Sequence, residues 1–247
     1  MIIRRSKQEI GRIAEASKIV KEVLQYLQDI IEPGMTTQYI ANAAEKLIIK
    51  RGGNPAFLGY RGFPGSICTS INHEVVHGIP GIRRLKEGEI LKIDVGVRLK
   101  DYCSDAASTV KIGKVTSEAE RLMTVTKESL YKGIEQAVEN SRLQNISAAV
   151  QSYVEKHGYS VVRDYTGHGI GQEIHEDPQI PNFGKHGKGP RLKSGMVFCI
   201  EPMVNAGEHK TEVLLDGWTV ITSDRSLSAH FEHTIVVTDN GPMILTG

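Results

Sequence analysis

The 247-residue sequence predicts an α+β fold, one domain of two like halves in which helices cover a curved, mostly antiparallel sheet. Three observations predict it. A long helix, a shorter helix and then strands occur twice in that order; no βαβ alternation is sustained; and no low-complexity linker divides the chain. The repeat places the halves at about 1–113 and 114–247.

The first helix opens on Ser6-Lys7-Gln8-Glu9, which fits a capping box, and Ile10, Ile13, Val20, Val23, Leu24, Leu27 and Ile31 follow at helical spacing. Pro33-Gly34 stops it. A second helix starts near Thr36 or Thr37 and runs through Ile40, Ala44, Leu47 and Ile48 to Gly52-Gly53. Apolar or alternating runs at 67–71, 90–99 and 107–112 read as strands. Ser117-Glu118-Ala119-Glu120 repeats the capping-box pattern ahead of Leu122, Val125, Leu130, Ile134 and Val138. That helix breaks between Asn140 and Leu143, and a shorter one spans about Asn145 to His157 before Gly158. Strands return at 197–200, 219–222 and 234–238.

Hydrophobic residues make up 40% of the chain and charged residues 24%, as in an ordinary globular protein, and the net charge of +1 offers no pull toward nucleic acid or membrane. No run approaches the ~20 apolar residues that span a bilayer. Cys68, Cys103 and Cys199 are an odd set without a CxxC, which argues against a disulfide framework or zinc knuckle and reads as small core residues. Arg4 and Arg5 interrupt the N-terminus before an apolar run could serve as a signal peptide, so a reducing, cytoplasmic setting is expected.

Asp94, Asp105, His168, Glu201 and Glu232 carry the chemistry. They stand in KIDVG, CSDAAS, GHGIG, CIEPM and FEHTIV, where a carboxylate is costly to bury unless paired or metal-bound. Four carboxylates and one imidazole form an oxygen-rich set that suits two divalent cations better than one structural zinc, which favours Cys and His. Such a site activates water, so a hydrolase is expected. A hairpin turn centred on Leu99-Lys100 sets Asp94 opposite Asp105; a turn at Lys100-Asp101 sets them one diagonal step apart on one face. The competing reading makes one a turn cap and the other a solvated strand residue. His77 and His175 stand near this set as candidate donors to a substrate carbonyl or its oxyanion, or else as structural imidazoles. His73, His157, His186, His209, His230 and His233 read as structural.

The segment YTGHGIGQEIHEDP at 165–178 resembles the signature of type I methionine aminopeptidases, and SICTSINHEVVHGIP, LKIDVGV, IEPMVNAG and DGWTVITSDRSLSAHFEHTIVVT supply the family's other landmarks in order. The resemblance covers nearly the whole chain and implies the pita-bread fold, two pseudo-symmetric halves about a central site. It implies two metal ions, one held by Asp94, Asp105 and Glu232, the other by Asp105, His168, Glu201 and Glu232. It implies removal of the initiator methionine from nascent proteins and peptides, with a small second residue preferred. By the same resemblance Glu201 relays a proton, His77 contacts the scissile amide and His175 stabilises the oxyanion. Tyr60, Phe63, Cys68, Ile174 and Trp218 would form the methionine pocket. Phe63 and Ile174 stand where several relatives carry Tyr and Phe, and Phe183 is an unusual ring closing the signature; these bear on pocket shape.

The gap from Glu201 to Glu232 is too short for the helical insertion of type II relatives, and little precedes the first cap, so the short bacterial-style form is expected. A proline-directed peptidase of the same fold is the alternative, though those relatives usually carry a large extra N-terminal domain; an inactive peptide-binding relative is the third. Co, Mn, Fe and Zn all tolerate the ligand set. The expected partner is a peptide or nascent-chain N-terminus, bound by a monomer, without membrane or specific nucleic acid. The loop Lys185-His186-Gly187-Lys188-Gly189-Pro190-Arg191-Leu192-Lys193 carries four cations that could touch ribosomal RNA transiently, against the plainer reading of a solvated loop.

Overall fold

The computed structural model describes residues 2–247. Its first half holds α1 (Lys7–Ile30), α2 (Thr37–Lys50), β1 (Asn54–Pro55), β2 (Cys68–Ile71), β3 (Glu74–Val76), β4 (Ile90–Leu99) and β5 (Tyr102–Lys111). The second holds α3 (Ser117–Ile134), α4 (Leu143–Lys156), β6 (Ser160–Val161), β7 (Thr166–Gly169), β8 (Glu176–Pro181), β9 (Val197–Ile200) and β10 (Met203–Asn205). It continues through β11 (Thr211–Val213), β12 (Val220–Thr222), β13 (Ser228–His230), β14 (His233–Thr238) and β15 (Gly241–Ile244). The strands form four ladders in which every pairing is antiparallel.

Helices α1 and α2 start where the sequence predicts, and α3 and α4 are each shifted by one or two residues. Ser6 and Glu9 close a full capping box on α1, and the Thr36 side chain accepts from the Tyr39 backbone N–H to cap α2. For α3 the cap is Thr116, whose hydroxyl accepts from Ala119 N–H, so Ser117 is the first helical residue and not the expected cap. Helix α4 begins at Leu143, two residues before the expected start, and Gly158 follows it with φ +82. Glycine accepts that left-handed conformation without steric cost.

Each helix pair buries an apolar face on its own ladder. Ile19, Val23, Leu27, Ile40 and Ile48 pack on Leu91, Ile93, Val95 and Val97 in the first half; Leu130, Ile134, Leu143 and Ile146 pack on Phe198, Ile200 and Ile235 in the second. A third cluster mixes the halves, joining Phe63, Cys68 and Cys103 to Ile170, Ile174, Val197 and Cys199.

Two threonines fasten this seam. Thr234 Oγ1 donates to Asp105 O at 2.7 Å and accepts from Asp105 N–H at 3.3 Å; Thr109 Oγ1 donates to His230 O at 2.7 Å and accepts from His230 N–H at 2.9 Å. Between these brackets Glu232 N–H donates to Ala107 O at 3.0 Å. A ladder edge from each half is thus satisfied by the other, as buried backbone requires. Lys92, fully buried, spans the same seam by donating to Asn72 O and Ser228 O.

Candidate metal centre

The β4–β5 hairpin turns at Lys100-Asp101, both with positive φ (47° and 69°), so Leu99 pairs with Tyr102. Two consecutive left-handed residues make the turn whose twist matches a two-residue hairpin, even without Asn or Gly. The register then pairs Asp94 with Ala107 and Asp105 with Gly96. Direct opposition of the two aspartates is excluded; the diagonal arrangement is the one observed, and it keeps both on one face. Gly96 leaves room that the Phe57 ring fills, since a Cβ there would lie 2.6 Å from it.

The second half supplies the rest. His168 sits on β7, Glu201 directly follows β9, and Glu232 lies between β13 and β14. The glycines flanking His168 serve chain packing: a Cβ on Gly167 would lie 2.3 Å from Cys199 O, and one on Gly169 would lie 2.1 Å from Asp177 O. The backbones approached are those of the neighbouring strands β9 and β8.

His168 Nδ1 lies 3.0 Å from Gly169 O and donates to it, which leaves the Nε2 lone pair facing Asp105 Oδ2 at 3.6 Å and Glu201 Oε1 at 3.5 Å. A lone pair aimed at carboxylates gains nothing unless a cation stands between them. One ligand atom from each of Asp105, His168, Cys199 and Glu232 falls within 4.8 Å of the others. Asp94 Oδ1 and Glu232 Oε1 are buried without a hydrogen-bond partner. Burial, reinforced by neighbouring carboxylates, pushes Asp94, Glu201 and Glu232 well above the usual carboxylate range, and burial raises Asp105 as well. Dry like charges, orphaned oxygens and an oriented imidazole together fit divalent cations.

The cluster forms the floor of a cavity of ≈ 560 Å³ whose lining includes Asp94, Asp105, His168, Glu201 and Glu232. All five expected ligands therefore meet in one place. Tyr60, Phe63, Cys68 and Trp218 line its apolar wall, with Phe63 and Trp218 edge to face at 5.2 Å. Ile174 is fully buried in the same hydrophobic cluster as Phe63 and Cys68, outside the lining itself. Phe57, Tyr165 and Met203 also line the cavity, though nothing in the sequence pattern separates them from core residues.

His77 and His175 face the same space. His175 stacks on Tyr60 at 5.2 Å and lies 4.2 Å from the His168 ring; His77 stands edge-on to Tyr165 at 5.6 Å. Burial pulls His77 down to about 4, and burial, then the neighbouring His168, pulls His175 down to about 3. Both imidazoles are neutral near pH 7 and act as hydrogen-bonding groups, not cations. His77 has φ +60, a conformation uncommon outside glycine and found where a site over-determines the backbone. His233, by contrast, is held by Thr246 Oγ1 at 2.9 Å, as a structural imidazole is.

Two residues read as structural from sequence lie in the cluster. Cys199 Sγ donates to Asp105 Oδ1 at 2.7 Å, and His230 Nε2 lies 3.6 Å from Glu201 Oε2. A cysteine in VFCI and a histidine beside Phe231 carry no periodic signal that separates them from core.

Comparison with known proteins agrees with this geometry. The sequence profile of metallopeptidase family M24 matches residues 11–239. The chain is 50% identical over 246 residues to a methionine aminopeptidase of Clostridium perfringens, covering 100% of this chain and 99% of that one. It is 51% identical over 246 residues to methionine aminopeptidase 1 of Bacillus subtilis, again covering 100% and 99%. The crystal structure of methionine aminopeptidase from Rickettsia prowazekii superposes with a TM-score of 0.99 at 46% identity, covering all of both chains.

Proposed function

The chain belongs to metallopeptidase family M24, and from that premise we propose that it is a metal-dependent aminopeptidase removing N-terminal methionine from peptides and nascent proteins. The carrying observation is that Asp94, Asp105, His168, Glu201 and Glu232 line one cavity together with the rings of Tyr60, Phe63 and Trp218. Full-length similarity to methionine aminopeptidases supports this reading over the proline-directed and inactive alternatives.

Asp94, Asp105 and Glu232 would hold one divalent ion, and Asp105, His168, Glu201 and Glu232 a second. Bound there, the pair, drawn from Mn, Co, Fe or Zn, would supply Lewis acidity that makes a water easier to deprotonate near neutral pH. The protein's own groups do the rest. Tyr60, Phe63, Cys68 and Trp218 receive the methionine side chain, whose polarisable sulfur packs well against rings. Ile174 backs that wall. His77 hydrogen-bonds the scissile amide, and neutral His175 donates to the carbonyl oxygen as negative charge develops on it. Glu201 accepts a proton from the attacking water and delivers it to the departing amine; the C–N bond breaks, the water's oxygen stays on the new carboxyl group of methionine, and that group's remaining proton passes to the freed amine.

Tyr165 and Met203 line the same cavity as Tyr60, Phe63 and Trp218, and bulky side chains at its wall support a preference for a small second residue. Rates across Met-Gly, Met-Ala, Met-Leu and Met-Lys peptides test it, and equal rates would end it. The protein acts as a cytoplasmic monomer in this reading. In the basic loop, Arg191 and Lys193 are engaged by Asn140 while Lys185 and Lys188 face solvent, which supports at most a brief ribosomal contact. Co-sedimentation with ribosomes after neutralising the four cations tests that contact.

The test of the activity is hydrolysis of Met-Ala-Ser and Ala-Pro-Ser by chelated, then Mn- or Co-reloaded, protein. Metal-dependent release of methionine from the first peptide alone is expected. Cleavage of the proline peptide instead, or of neither, would overturn the assignment.

A further inference from the structure

The seam places one more residue in the reaction centre. Asp105 stands four residues before Thr109 on β5, and His230 stands four residues before Thr234 where β13 leads into β14. Each threonine brackets the backbone of the other half's residue, so Thr234 grips Asp105 and Thr109 grips His230 through the same pair of hydrogen bonds. His230 is therefore the pseudo-symmetry counterpart of Asp105, and a symmetric bracket turns both side chains toward one centre.

The side chain is built for a partner. His230 is 1% exposed, and neither ring nitrogen has a hydrogen-bond partner within the protein. A buried, unmet imidazole costs stability and survives where something is placed to meet it. The group nearest to doing so is Glu201, whose Oε2 lies 3.6 Å from His230 Nε2 while its Oε1 lies 3.5 Å from His168 Nε2. The two imidazole nitrogens thus lie beside the two different oxygens of one carboxylate. The His230–Glu201 separation exceeds hydrogen-bond length by about 0.4 Å.

We propose that His230 is a positioning residue for Glu201, donating its Nε2–H to Oε2 so that Oε1 stays directed at the ion site and the water to be deprotonated. The inference rests on the reading of Glu201 as the proton carrier. His230 touches neither substrate nor ion; it fixes which oxygen of Glu201 does so, and a carboxylate free to rotate loses time in unproductive orientations.

Three variants and one spectrum test this. His230→Met removes the donor at similar volume and should lower kcat about tenfold with KM within about twofold, whereas His230→Gln keeps an N–H and should restore most of kcat. Equal kcat in His230→Met and wild type, or a loss in His230→Gln as deep as in His230→Met, would overturn the proposal. Should His230→Met not fold, the wild-type protein decides. In metal-free protein with ¹⁵N-labelled histidine, His230 should carry its proton on Nε2, and its resonance should move in Glu201→Gln. A proton on Nδ1, or no response to Glu201→Gln, overturns the contact. Glu201→Gln also separates the two readings: if it retains kcat, the proton-carrier role fails and takes this proposal with it, whereas loss of kcat beside an indifferent His230→Met defeats this proposal alone.

Discussion

A single thiol illustrates how much of the site lies outside its obvious ligands. Cys199 Sγ donates to Asp105 Oδ1 at 2.7 Å and also lies 3.4 Å from Thr234 Oγ1, the hydroxyl that brackets the Asp105 backbone. Groups holding a ligand carboxylate in place commonly carry 10–100-fold in metal affinity. Cys199→Ala is therefore expected to weaken divalent-ion binding by about tenfold, and Cys199→Ser, which keeps a donor, to weaken it far less; titration calorimetry on metal-free protein checks both. Unchanged affinity in Cys199→Ala would reduce the thiol to packing. The five candidate ligands were legible because a carboxylate inside KIDVG or CIEPM breaks an apolar pattern and asks for an explanation. Cys199 and His230 were not, because a small thiol and an occasional imidazole fit a core, and only the seam brings them to Asp105 and Glu201.

At the scale of elements, caps and turns carried most of what sequence could tell. The α1 cap is a closed ring of contacts: the Ser6 backbone N–H, then its hydroxyl, with Arg5 and Tyr102 behind them, hold Glu9 down to about 2. A carboxyl lowered in the folded state stabilises above its ordinary value near 4.5, and that contribution disappears as pH falls through about 2. Glu9→Gln should thus melt about 2 °C below wild type at pH 7, as loss of part of a cap does in a chain of this size, and the gap should close as pH falls toward 2. A gap independent of pH would deny the ionised cap its role. The β4–β5 turn offers the opposite sign. Lys100 and Asp101 both sit at positive φ, where Asn and Gly are favoured. The Lys100–Glu15 pair they would lose is solvent-exposed and weak. Lys100→Asn with Asp101→Gly is expected to stabilise the protein by about 1 kcal/mol, read as a higher urea midpoint without a change in slope. Helices and the longer strands declared themselves through periodicity. In the second half β9, β12 and β14 match expected runs, whereas β6, β10, β11 and β13 did not declare themselves, since strands of two or three residues give a period-2 signal too little length. Thr116 displaced Ser117 as a cap although only Ser117 has a Glu three residues on: the hydroxyl that caps is the one that reaches the backbone, here Thr116 to Ala119 N–H.

On the scale of the whole molecule, the two halves meet at the place where charge is hardest to bury. β4 and β5 bring Asp94 and Asp105 from one half; β7, β9 and the β13–β14 segment bring His168, Glu201 and Glu232 from the other. Closing the seam forces four carboxylates into a dry space, which opposes folding unless a proton or a cation enters with them. Divalent ions should accordingly act as structural glue between halves as well as reagents. Ions that bind the folded chain alone stabilise it by RT ln(1 + [M]/Kd), about 2.7 kcal/mol at a hundredfold excess over Kd. At about 2–4 °C per kcal/mol for a chain of this length, chelated protein should melt roughly 5–10 °C lower than protein reloaded with Mn or Co. The gain should grow with the logarithm of ion concentration and shrink sharply in Asp105→Ala, because that carboxylate faces both halves. Lowering pH should narrow the difference between chelated and loaded protein, since protons then relieve the same repulsion that the ions relieve. Differential scanning calorimetry of chelated, loaded and Asp105→Ala protein distinguishes this from passive occupancy. A melting temperature indifferent to metal would mean that the seam closes on packing and its two threonine brackets alone, with the ions confined to chemistry.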